Sequence, residues 1–226
     1  MNYKAIFFDR DNTLTCKKAE VVKWEKELIE GWSGKEYKLD YEKRMYLFDR
    51  AGYPKDGLKS IEKEIEFRRK FYISLLQEEG IKEKLEERSK IIFNKVWLRD
   101  RDIFPEVIEV LNYFKAGGFK IGVISDTSPS LPLTLESLGL GKYFDSYTCS
   151  DLVGVMKPDK KIYQTALDSL NVTAEESLYV DDYDVEADGA RDMGFTSFHI
   201  VRSGELKTEW DIKSLKDIVK YVEDSR

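Results

Sequence analysis

Short runs of wholly apolar residues, separated by stretches with helical spacing, restrict this chain more than any other feature of its sequence. Residues 5–8, 120–124, 178–180 and 198–201 form four such runs, and a weaker one covers residues 144–149. Apolar side chains recur at helical spacing in residues 106–116, 129–138, 160–170, 185–193 and 212–222. Runs that do not alternate apolar with polar suit strands buried on both faces, the condition of a parallel sheet covered by helices. The expected class is therefore a doubly wound α/β domain. Pro129 suits the first turn of the helix that follows the second run, with Ser128 as its cap.

Residues 16–100 interrupt that alternation. Val21, Trp24, Leu28 and Trp32 recur at helical spacing, as do Ile61, Ile65, Leu75 and Leu76, then Leu85, Ile92 and Val96. Gly31, Gly34, Gly52, Pro54 and Gly80 punctuate the stretch. About four helices are expected as an insertion. The α/β core then comprises residues 1–15 and 101–226, and an all-helical cap comprises residues 16–100. The cap holds 21 Lys and Arg against 18 Asp and Glu, which leaves 16 against 25 for the core. Solvated helix faces account for a basic insertion on an acidic body. The alternative is that the insertion presents cationic side chains to an anionic ligand.

Composition narrows the class further. With 226 residues, 42% hydrophobic and 35% charged, the chain has room for one sizeable core and an appendage, and disordered or fibrous classes are excluded. No apolar run approaches the roughly 20 residues of a membrane span. A net charge of −6 without a dense basic stripe disfavours nucleic acid as a partner. Met1-Asn2-Tyr3-Lys4 enters the first strand with no basic and apolar leader, so a cytoplasmic protein is expected. Cys16 and Cys149 have neither metal-ligand nor disulfide-framework spacing, and Cys149 reads as a small core residue. His199 is the only histidine and sits within a strand, where a structural role is expected. Carboxylates, hydroxyls and lysine must therefore carry any chemistry.

Those groups lie where the apolar runs end, the edge at which open parallel sheets bind ligands. The first run is followed by Asp9-Arg10-Asp11-Asn12-Thr13, the second by Ser125-Asp126, and the third by Asp181-Asp182 with Asp184, Glu186 and Asp188 beyond. Lys157-Pro158-Asp159 opens another helix. Any one of these could be ordinary turn or cap chemistry. Together they resemble the haloacid dehalogenase superfamily of phosphohydrolases, in particular members with a helical cap inserted after the first motif. Asp9-x-Asp11-x-Thr13 matches the first motif, Ser125 the second, Lys157 the third, and Asp181-Asp182-x-x-x-Glu186 with Gly189-Ala190 the fourth.

The resemblance implies a Mg²⁺-dependent phosphatase acting on a small phosphorylated metabolite, as a monomer or homodimer. Asp9 is the implied nucleophile and forms an aspartyl-phosphate. Asp11 is the implied general acid and base. Asn12, Thr13, Ser125, Asp126 and Lys157 are expected around the phosphoryl group, and Asp9, Asp11, Asp181, Asp182 and Glu186 around the metal, with oxygen-only ligands suiting Mg²⁺. Asp182 matches the direct metal ligand, with Asp181 where glycine is usual, although a register one residue earlier exchanges them. Asp126 stands where asparagine is common and reads alternatively as an Asx-type turn residue. Dehalogenases of this family lack an acid at position 11 and need no metal, so Asp11 favours a phosphatase. A phosphomutase, a 2-haloacid dehalogenase and a non-catalytic binder of phosphorylated ligands remain as alternatives.

Overall fold

A computed structural model describes residues 3–225. Met1 and Asn2, which open the proposed leaderless N-terminus, lie outside the described residues. Strand β1 (Ala5–Phe8) is buried along its whole length, because its two faces enter two different cores. Ile6 and Phe8 pack with Val110, Leu111 and Phe114 of α5 (Val107–Ala116) and Ile218 of α10 (Lys216–Asp224). Ala5 and Phe7 face Ile162, Tyr163 and Ala166 of α8 (Lys160–Leu170) and Ala190 of α9 (Asp184–Arg191). Helices on both faces of one sheet make the doubly wound α/β fold that the apolar runs require.

The sheet has six parallel strands in the order β5-β4-β1-β6-β7-β8, with β4 spanning Lys120–Ser125, β5 Ser146–Cys149, β6 Ser177–Asp181, β7 Thr196–Ile200 and β8 Asp211–Ile212. β1 lies between β4 and β6, so the ends of these three strands emerge side by side. Gly122 stands opposite Phe7 in the β1/β4 pair. A Cβ at Gly122 would lie 2.5 Å from Phe7 Cδ1 and 2.7 Å from Ser146 Oγ. Gly122→Ala is accordingly expected to lower stability by about 1–3 kcal/mol through overpacking, measured as a lower urea midpoint at unchanged m-value.

Four helices occupy most of the stretch that breaks the alternation: α1 (Ala19–Ser33), α2 (Tyr41–Arg50), α3 (Ile61–Glu78) and α4 (Leu85–Val96). They share a core of their own that includes Ile29, Leu47, Phe71, Leu75 and Ile92. A two-stranded antiparallel ribbon, β2 (Thr15–Lys17) with β3 (Arg101–Ile103), joins the outgoing and returning chain at their base. Three-residue strands carry too little periodicity to show in sequence.

Two helix expectations are corrected. Helix α6 spans Leu131–Ser137, with Pro132 in its first turn rather than Pro129, and Ser128 is not its cap. Ser130 precedes it, and its backbone N and Oγ both donate to Glu64 of α3, at 2.8 Å each. A carboxylate from the helical insertion thus satisfies the start of a core helix. The stretch 212–222 divides: Ile212 extends the sheet as part of β8, and α10 begins only at Lys216. The short helix α7 (Ser150–Val153) follows β5. Among the described residues no helix is long and apolar enough to cross a membrane.

Candidate active site

Asp9 follows β1 directly, and its backbone N donates to Val180 O of β6 at 2.9 Å, continuing the ladder one residue past the strand. Its side chain is buried, so it must be partnered. Lys157 Nζ is the partner, 3.0 Å from Asp9 Oδ1. The same ammonium lies 2.6 Å from Asp181 Oδ2, 2.6 Å from Glu186 Oε2 and 3.2 Å from the Tyr179 hydroxyl. Tyr179 also donates to Asp181 Oδ2. Asp9 Oδ2, by contrast, is buried and has no hydrogen-bond partner.

Backbone packing places Lys157 at this point. Asp126, just past β4, accepts from Lys157 N at 3.1 Å and braces the two loops together. Asp126 is therefore not a turn residue serving only its own loop. A Cβ at Gly189 would lie 2.5 Å from Pro158 Cβ, so the missing side chain lets α9 approach the Lys157 loop closely.

Three carboxylates around one ammonium leave surplus negative charge. Burial, with help from Asp181 and Asp11 and against the pull of Lys157, raises the Asp9 pKa to about 7. Burial likewise raises Glu186 to about 8, Lys157 opposing and Asp181 adding to it. Burial disfavours the charge on Lys157 as well, but Asp9, Tyr179, Asp181 and Glu186 outweigh it and hold the amine protonated well above its ordinary range. Burial raises Asp182 too, opposed chiefly by the hydrogen bond from Asn12 Nδ2 to Asp182 Oδ2 at 2.9 Å.

Asp9, Asp181 and Asp182 each present an oxygen to one spot, and these three atoms lie within 4.8 Å of one another. Both aspartates of the β6 terminus thus present an oxygen to the group. Their surroundings differ. Asp181 is fully buried and held by Lys157, Tyr179 and the Tyr183 N–H at 3.0 Å, whereas Asp182 is half-buried. The two other expected metal acids lie outside this group: Glu186 is drawn to Lys157, and the Asp11 carboxylate turns elsewhere. His199 supports the arrangement from β7, its Nε2 lying 3.2 Å from the Asp182 carbonyl and its Nδ1 3.0 Å from Asp211 Oδ1.

Asp11 is gripped by two arginines that the sequence reading passes over. Arg10 Nε and Nη2 donate to its two oxygens at 2.7 and 3.1 Å. Arg101 Nη1 and Nη2 approach the same carboxylate at 2.6 and 3.0 Å. Burial works against ionisation there, but Arg10 and Arg101 prevail and hold the Asp11 carboxyl well below the usual carboxylate range. Arg10 lies inside the first motif, between Asp9 and Asp11, where nothing in the sequence marks it for a role. Arg101 sits among the charges of Arg99-Asp100-Arg101-Asp102, and only the β2/β3 ribbon brings it to Asp11.

Of the expected phosphate contacts, Thr13 is fully buried with an unpartnered hydroxyl, Ser125 is buried at the end of β4, and Asn12 is engaged with Asp182. Asn12 has φ +54°, a left-handed conformation that asparagine tolerates better than most residues. Asp184 is an exposed acid in the first turn of α9, and Asp188 pairs with Arg191, so neither enters the site. Above the strand ends, between α2 and α3 on one side and the core loops on the other, is a cavity of about 500 Å³. Arg10, Asp11 and Asp126 line its core side.

Known proteins resemble this chain in sequence and fold. The chain is 32% identical over 127 residues to an (S)-2-haloacid dehalogenase of Pseudomonas sp. (strain YL), covering 53% of this chain and 55% of that protein. It is 29% identical over 133 residues to a glyceraldehyde 3-phosphate phosphatase of Methanocaldococcus jannaschii, covering 53% and 56%. The matches thus span about half the length of these curated relatives. The crystal structure of a HAD phosphatase from Thermococcus onnurineus superposes with a TM-score of 0.68 at 21% identity, over 97% of each chain, and so shares the fold. The pattern of the haloacid dehalogenase-like hydrolases matches residues 3–194, and the chain belongs to that hydrolase family.

Proposed function

We propose that this hydrolase is a Mg²⁺-dependent phosphatase of small phosphorylated metabolites, with Asp9 as its nucleophile. The observation that carries this reading is the convergence of Asp9, Asp181 and Asp182 on one spot, beside an Asp9 oxygen that no group among the described residues satisfies. Oxygen-only donors with surplus negative charge suit a hard divalent cation, and Asp9, Asp181 and Asp182 would hold it. When bound, Mg²⁺ supplies charge neutralisation between an anionic nucleophile and an anionic ester.

The protein's own groups account for the rest. Lys157 fixes Asp9 through Oδ1, which leaves Oδ2 to attack phosphorus. The bond from Oδ2 to phosphorus forms as the ester P–O bond breaks, and the departing oxygen takes a proton. Water then adds to phosphorus, the Oδ2–P bond breaks, and inorganic phosphate leaves. Asp11 serves as the proton carrier in both steps, and its carboxylate must part from Arg101 before it can accept or deliver a proton. Thr13, with its unpartnered hydroxyl, and Ser125, at the end of β4, would contact phosphoryl oxygens.

Chelation separates this reading from halide displacement, which the similarity to the Pseudomonas enzyme favours. Treatment with EDTA is expected to lower p-nitrophenyl phosphate hydrolysis on the order of 10²-fold or more, and added Mg²⁺ to restore it. Full phosphatase activity after chelation, or halide release from a 2-haloacid without metal, would reverse the assignment.

A further inference from the structure

The cavity over the strand ends contains cationic donors that the protein itself does not use. Arg68 of α3 lines it, makes no hydrogen bond among the described residues, and has a buried, unpartnered Nε. Its nearest acid is Glu64, one turn earlier, with Oε1 3.6 Å from that Nε. Both Glu64 oxygens are already engaged by Ser130, so this carboxylate serves α6 and leaves the guanidinium unsatisfied. Arg44 of α2 lines the same cavity, and its side chain has neither ion pair nor hydrogen bond among the described residues. Lys55 also lines the cavity without an ion pair among the described residues, but it is exposed, and three further cations on the wall are committed. Arg10 and Arg101 are committed to Asp11, and Lys17 to Asp100.

Helical spacing makes this a built wall. Glu64, Arg68 and Tyr72 repeat every four residues along α3, and all three line the cavity. Phe48, Phe93 and Trp97 supply apolar surface beside them. A guanidinium beside an apolar wall, without hydrogen bonds from the chain, is matched by a carboxylate or phosphate that accepts two parallel N–H bonds. On the phosphatase reading the phosphoryl group is held at the strand ends beside Asp9, which leaves this wall for a different anionic group.

We infer that Arg68, assisted by Arg44, binds a second anionic group on the leaving portion of the ester. The substrate is then a small organic phosphate that also bears a carboxylate or a second phosphate. This inference rests on the phosphatase reading of the Asp9 site. It also explains a basic insertion over an acidic core, since the cap would hold the part of the ligand farthest from Asp9.

Matched ester pairs test it. 3-Phosphoglycerate is compared with glycerol 3-phosphate for the carboxylate, and fructose 1,6-bisphosphate with fructose 6-phosphate for the second phosphate. The native protein is expected to favour the doubly anionic member of at least one pair by about 10- to 100-fold in kcat/KM. Arg68→Met should bring that ratio close to one. Because Arg68 makes only a 3.6 Å ion pair with Glu64 and no side-chain hydrogen bond among the described residues, thermal unfolding of Arg68→Met should stay close to that of the native protein; Arg44→Met provides the same reading if it does not. Calorimetric binding of the same esters to Asp9→Asn protein reports the subsite without turnover. Discrimination in binding with no hydrolysis of any ester by the native protein would uphold the subsite and retire the phosphatase reading. Equal handling of both members of each pair, or an unchanged ratio in both arginine variants, would overturn the subsite.

Discussion

Asp9→Asn is expected to lower kcat by on the order of 10⁴-fold or more, with no loss of thermal stability. The amide keeps the shape of the carboxylate but is a poor nucleophile, and removing the nucleophile of a covalent mechanism costs nearly all of its advantage. Stability should hold because Lys157 keeps Asp181 and Glu186 as partners. One buried acid fewer also eases the surplus of negative charge around a single ammonium. Acid-stable labelling of the protein by a ³²P-ester, quenched during turnover, should be found in the native chain and absent from the variant. Hydrolysis near the native rate would exclude Asp9 as the nucleophile, whatever the fate of the metal.

Lys157→Met should give the largest loss of stability of any single change in the core. The ammonium contacts Asp9, Asp181, Glu186 and Tyr179, and its side chain is about 1% exposed. Methionine matches much of its length but leaves three carboxylates facing one another without a countercharge. Breaking a buried ion pair from one side costs about 3–5 kcal/mol. Urea unfolding would show this as a lower midpoint at unchanged m-value. Millimolar Mg²⁺ should restore more of the midpoint in the variant than it adds to the native protein, since a ligand of the folded state stabilises it by mass action. A loss below about 1 kcal/mol, judged against that range, would mean that the acids are already neutral or hydrated without Lys157. An equal Mg²⁺ effect in both proteins would separate the cation from this cluster.

The sequence alone determined the layered class and the edge of the sheet that carries chemistry. A strand buried on both faces must be apolar throughout, and a helix between strands must repeat near 3.6, so both are written locally. Strand ends in a parallel sheet share one edge, which is why Asp9, Ser125, Asp181 and Asp182 could be grouped before any coordinates. Lys157 joined them through the resemblance, and the structure placed it among Asp9, Asp181 and Glu186.

The partners of each charge were settled only by tertiary structure. Arg101 reaches Asp11 across 90 residues through a ribbon of three-residue strands, and no local pattern announces such a pairing. Glu64 looks like one more surface acid on a charged helix, yet it is buried and holds the start of α6, leaving Arg68 with only a 3.6 Å ion pair and no side-chain hydrogen bond among the described residues. Residue type and periodicity depend on neighbours in sequence. Whether a charge is paired, surplus or free depends on which groups meet after the chain has closed on itself, because burial sets the cost of every ionic group left without a partner.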